Sequence, residues 1–66
     1  MMDRVLELFA EGWVVEVGSY DGSYVVEDAE EIRDTFEEVE DDEYLSLEVE
    51  FFEQEHRVEL FMQDDE

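Results

Sequence analysis

Apolar residues along the chain alternate between two spacings, one helical and one extended. From Met2, the positions Val5, Leu6 and Phe9 recur at helical intervals, and Gly12 follows where a left-handed residue ends a helix; this predicts a helix over residues 2 to 11. Trp13-Val14-Val15-Glu16-Val17 is rich in β-formers, and Tyr20-Asp21-Gly22-Ser23 carries a hairpin signal, because Asp-Gly tolerates the positive φ of a type I′ turn. A two-residue loop at Asp21-Gly22 sets Val17 opposite Val26, Ser19 opposite Tyr24 and Glu16 opposite Glu27. That last pair opposes like charges across a ladder, which is destabilising.

Asp28 then offers an N-cap with Glu31 in capping-box position, and Ala29, Ile32, Phe36 and Val39 make one apolar stripe. After Glu40-Asp41-Asp42-Glu43, the residues Leu45, Leu47, Val49 and Phe51 alternate with Ser46, Glu48 and Glu50, the pattern of a half-buried strand. Val58, Leu60 and Met62 alternate with Arg57, Glu59 and Phe61 in a further strand, joined to the first by a short turn around Glu53 to Glu55. Matching apolar to apolar sets Val49 against Val58, Glu50 against Arg57 and Glu48 against Glu59. The implied fold class is α+β, two helix-hairpin units (αββαββ) with a four-stranded, mainly antiparallel sheet and both helices on one face. The tail Gln63-Asp64-Asp65-Glu66 is expected to fray.

Composition turns this pattern into a puzzle. The chain is 66 residues, a single acidic domain over residues 1–66, near the lower limit for a core without disulfides or metals. With 44% hydrophobic and 14% aromatic residues, it carries too much apolar material for a solvated tail. Yet 24 residues are Asp or Glu against three Lys plus Arg, a formal charge of -21. Self-repulsion at that density opposes compaction, so something else must favour the charge. The sign excludes direct binding to nucleic acid or anionic membranes, which need basic patches, and it points to a basic partner. The N-terminal stretch lacks the pattern of a signal peptide and no apolar run is long enough to cross a bilayer, so a cytoplasmic location is expected.

Outward side chains two apart on a strand repeat about every 6.8 Å. Glu48 and Glu50 on one strand and Glu59 on its neighbour therefore form a grid of negative charge, extended by Glu37, Glu38, Asp41 and Asp42 of the second helix and its flank. Carboxylates suit the same charge-assisted and bidentate geometries as phosphates, so such a grid occupies the Lys and Arg groups that hold nucleic acid. On size and on this charge, in Glu37-Glu38-Val39-Glu40-Asp41-Asp42-Glu43 and the outward Glu48, Glu50 and Glu59, the chain resembles the DNA-mimic proteins that phages and mobile elements direct against restriction enzymes and CRISPR effectors. That resemblance implies a non-enzymatic inhibitor occupying the nucleic-acid-binding site of a basic target; the family shares no sequence motif, so no contact residue carries over. The alternative is a small halophilic interaction domain, since every basic residue is Arg and salt near 1 M shortens the Debye length to about 3 Å.

Phe52 and Phe61 fall on the parity of the acidic face, beside Tyr44, where rings serve as partner anchors or else as local packing or a contact between two copies of the chain. Trp13 is assigned to the core, covering the end of the sheet. His56, the only histidine, sits in a turn with Glu53 and Glu55, too little for a metal site or an oriented general base. Without Cys, a glycine-rich phosphate loop, or a base near Ser19, Ser23 or Ser46, neither catalysis nor a cofactor is expected.

Overall fold

The computed structural model describes residues 1–64. Element order follows the sequence pattern: α1 (Met2–Ala10), β1 (Val14–Ser19), β2 (Gly22–Val25), α2 (Ala29–Asp41), β3 (Leu45–Phe52), a short 3-10 turn (Glu53–Glu55) and β4 (Arg57–Asp64). The first helix ends through Glu11 and a positive φ of 100° at Gly12, which only glycine adopts without strain. In α2 the Asp28 side chain accepts from the Glu31 amide at 3.1 Å, and the Glu31 carboxylate accepts in return from the Glu27 amide at 2.6 Å. This is a capping box displaced by one residue at its return bond.

The sheet runs β2-β1-β4-β3 and is mixed. Two antiparallel hairpins meet at a parallel seam, with Val15 beside Val58 and Val17 beside Leu60. The expectation of a mainly antiparallel sheet is corrected at that seam. Its physical reason is burial: these four residues are at most 1% exposed. Such residues are best covered on the two central strands, leaving the wholly exposed β2 and the Glu-bearing β3 as edges.

Both hairpin registers are two residues from those expected. Ser19 pairs with Gly22 and Val17 with Tyr24, so the loop is Tyr20-Asp21 and Glu16 faces Val25 rather than Glu27. Neither loop residue has a positive φ, which rules out type I′; the Ser19 hydroxyl accepts from the Asp21 amide at 3.3 Å instead. In the second hairpin Val49 pairs with Leu60, Phe51 with Val58, Glu50 with Glu59 and Phe52 with Arg57. A displacement of two keeps every side chain on its expected face, because the strand period is two. Gln63 and Asp64 continue β4 rather than fray, while Asp65 and Glu66 lie outside the described residues.

The core forms between one sheet face and both helices: Val5 and Leu8 from α1, Ile32 from α2, then Val15, Val17, Val26, Val58 and Leu60. Burying each such side chain contributes about 1.5–3 kcal/mol. Thr35 joins them at 3% exposure, its hydroxyl donating to the Glu31 carbonyl at 2.8 Å. Trp13 is half-buried against this core and stacks on His56, ring centroids 5.1 Å apart, while the Val14 amide donates to the His56 carbonyl at 3.0 Å. The start of β1 is thereby tied to the turn before β4. Among the described residues no helix covers the opposite sheet face, and that open face defines the candidate site.

Candidate acidic interface

On the helix-free face the ladders stack residues into rows across the strands. One row reads Val25, Glu16, Glu59, Glu50; on one side of it lies Ser23, Gly18, Phe61, Glu48, and on the other Val14, Arg57, Phe52. Neighbouring strands lie about 4.8 Å apart. Three consecutive glutamates are thus fixed side by side at close to strand spacing, with adjacent repulsion on the order of 1 kcal/mol at a wet surface.

One cation answers that row. The Arg57 side chain is 23% exposed; its guanidinium hydrogen-bonds Glu59, lies 3.7 Å from Glu16 and 3.4 Å from Glu55, and sits 4.3 Å from the centre of the Phe52 ring. The Glu59 carboxylate holds its pKa above the ordinary arginine range; partial burial opposes the shift and Glu55 adds to it. Arg57 therefore stays charged at any working pH. Its position removes positive charge from the surface by enclosing it among carboxylates.

Among the described residues, the second acidic region has no such partner. Glu37 and Glu38 are exposed on α2, Asp41 ends the helix, and Asp42 folds back so that its carboxylate accepts from the Tyr44 amide at 2.9 Å. No basic residue lies in the last turn, so Glu38, Glu40 and Asp41 crowd the negative end of the helix dipole. Glu38, Asp41, Asp42, Glu43 and Tyr44 border a shallow, open hollow at this corner.

The expected contact charges accordingly divide in two. Glu48, Glu50 and Glu59 share the open sheet face with Phe52 and Phe61, whereas Glu37, Glu38, Asp41 and Asp42 occupy the helix and the loop beyond it. Both rings are half-buried: Phe52 lies under Arg57, and Phe61 meets Tyr20 edge-on at 5.8 Å. Sequence reasoning missed Glu16 and Arg57. Glu16 enters the row only through the parallel seam with β4, which also brings it within 3.7 Å of Arg57; the Arg57–Glu59 bond lies within β4 and is independent of register. Among the described residues, no three His, Cys, Asp or Glu side chains are placed to hold a metal ion. No described helix is long and apolar enough to cross a membrane.

No family model, curated protein or solved structure matches the chain.

Proposed function

We propose that the chain is a non-enzymatic inhibitor whose carboxylates occupy the nucleic-acid-binding site of a basic protein, as in a DNA mimic. The Glu16-Glu59-Glu50 row carries the reading. Its members sit on three hydrogen-bonded strands, so a basic groove that binds them orders little that is not already ordered. Charge density points the same way. The described residues hold 22 acidic and three basic side chains, a net of -19, along a longest dimension of 34 Å. That is about 1.8 Å per charge, against about 1.7 Å along duplex DNA.

A second reading rests on a different observation. The acidic residues are not confined to the open face: Asp3, Glu7 and Glu11 lie on or beside α1, and Glu30, Asp34 and Glu37 line α2. Such coverage, with no lysine in the chain, is what adaptation to a salty interior also produces.

One salt titration separates the two. A mimic holds its circular-dichroism spectrum in dilute buffer, and its stoichiometric competition with DNA for a basic nuclease fades as salt rises. A chain that is unfolded in dilute buffer, folds only in molar salt, and competes at no salt concentration is a halophilic domain without mimicry.

A further inference from the structure

The open sheet face contains a hollow beside the glutamate row. Gly18 and Ser23 leave its floor low, the Phe61 ring walls it, and Glu16 and Glu59 line its rim. A Cβ placed on Gly18 would meet Phe61 and Ser23 at 3.5 Å, so the space exists because that position carries no side chain. No basic residue lines it.

The molecule itself shows what such surroundings hold. One row away, the Arg57 guanidinium carbon sits 4.3 Å from the centre of the Phe52 ring while its nitrogens reach the carboxylates of Glu59 and Glu16. The hollow repeats those elements: the same two glutamates approached from their other side, and an aromatic ring, Phe61, at the next open-face position of β4 beyond Glu59. Only the cation is missing. Coulomb attraction alone accepts lysine as readily as arginine, whereas a ring beside paired carboxylates favours the planar guanidinium, which stacks and hydrogen-bonds in a fork.

We infer that this hollow is a receptor for one arginine side chain of the basic partner, with Phe61 stacking the guanidinium and Glu16 and Glu59 accepting its hydrogen bonds. It rests on the polyanion reading above and adds a point of chemical discrimination to it. Binding would then combine diffuse attraction, indifferent to cation type, with one seat that is not.

The test compares two peptides of equal length and charge, one of alternating arginine and serine, one of alternating lysine and serine, titrated calorimetrically against the folded chain. The arginine peptide should bind about fivefold more tightly. Gly18→Val fills the hollow, suits a strand and leaves the net charge untouched; Phe61→Leu removes the ring. In both variants the arginine preference should vanish while lysine-peptide affinity stays within about twofold, a contrast that a merely structural role for either residue does not produce. Circular dichroism confirms that each variant is folded, and Gly18→Ala, whose added carbon makes only ordinary contacts, serves if valine is not tolerated. Equal affinity of the native chain for both peptides overturns the receptor and leaves the polyanion reading standing, as does a preference that survives all three variants. Failure of both peptides to bind overturns both readings.

Discussion

The glutamate row of the sheet and the C-terminal end of α2 are both dense in carboxylate, yet they are held in opposite ways. In the sheet, Glu16, Glu59 and Glu50 are fixed by three strands, and the row is relieved by Arg57, which spans two of its members and Glu55. At the helix end, Glu37, Glu38, Glu40 and Asp41 have no basic residue in the last turn and oppose the helix dipole as well as one another. One array lies across paired strands and is partly compensated; the other lies on a helix end and, among the described residues, makes no ion pair. If fixed position is what a phosphate-binding groove recognises, the sheet array should matter more for binding, and the helix array should weigh mainly on stability.

The largest expected effect breaks that contrast directly. Reversing Glu48, Glu50 and Glu59 to Lys should weaken competition with nucleic acid by about a hundredfold or more, since each reversal replaces attraction with repulsion at a fixed site. Reversing Glu37, Glu38, Asp41 and Asp42 to Lys alters more charge but should weaken it only about tenfold. Inhibition assays on the two variants decide the matter. If the helix variant loses as much as the sheet variant, total charge governs binding and position does not.

Arg57→Gln comes next. It leaves Glu16, Glu55 and Glu59 facing one another without their shared cation. The melting temperature should fall clearly in dilute buffer and return towards the native value in molar salt, where the Debye length is about 3 Å. Adding Glu59→Gln should restore part of the loss at low salt. A melting temperature that Arg57→Gln lowers equally at every ionic strength would mean that Arg57 acts through packing on Phe52 and not through charge.

Why these two arrays differ was only half legible in the sequence. Alternation gives the faces, so Glu48, Glu50, Glu59, Phe52 and Phe61 were correctly assigned to one side, and Asp28 announced the start of α2. Register was not legible, because each turn closes by a route its residues do not advertise. The β3–β4 connection ends in His56 at φ 51°, a left-handed conformation usually marked by glycine or asparagine, and β3 consequently extends to Phe52. At the first hairpin, Asp-Gly suggested a turn centred one residue later than the observed Tyr20-Asp21. Strand order was hidden altogether, since no local pattern says that β1 will lie parallel to β4. Glu16, which completes the row and shares Arg57 with Glu59, depends on that strand order.

The two ends of α2 sharpen the comparison at smaller scale. Its N-terminus uses acid constructively: Asp28 caps the Glu31 amide, and Glu30 and Glu31 face the positive end of the dipole. Asp28→Ala should therefore cost about 1 kcal/mol in chemical denaturation.

At the other end the same residue type works against the helix, so substitution should act in the opposite direction. Asp41→Lys places a cation where the last carbonyls carry partial negative charge, and it relieves repulsion from Glu37 and Glu38 one turn earlier. Stability should rise by about 0.3–1 kcal/mol at low ionic strength, and the gain should shrink as salt is added, because this surface interaction is screened. Urea denaturation at two salt concentrations measures both the gain and its loss. A chain that retains acid at a position where a single lysine stabilises the fold keeps it for a reason other than folding. Should Asp41→Lys instead destabilise the helix at low salt, the C-terminal run belongs to the fold's own energetics, and its claim to be a presented surface goes with it.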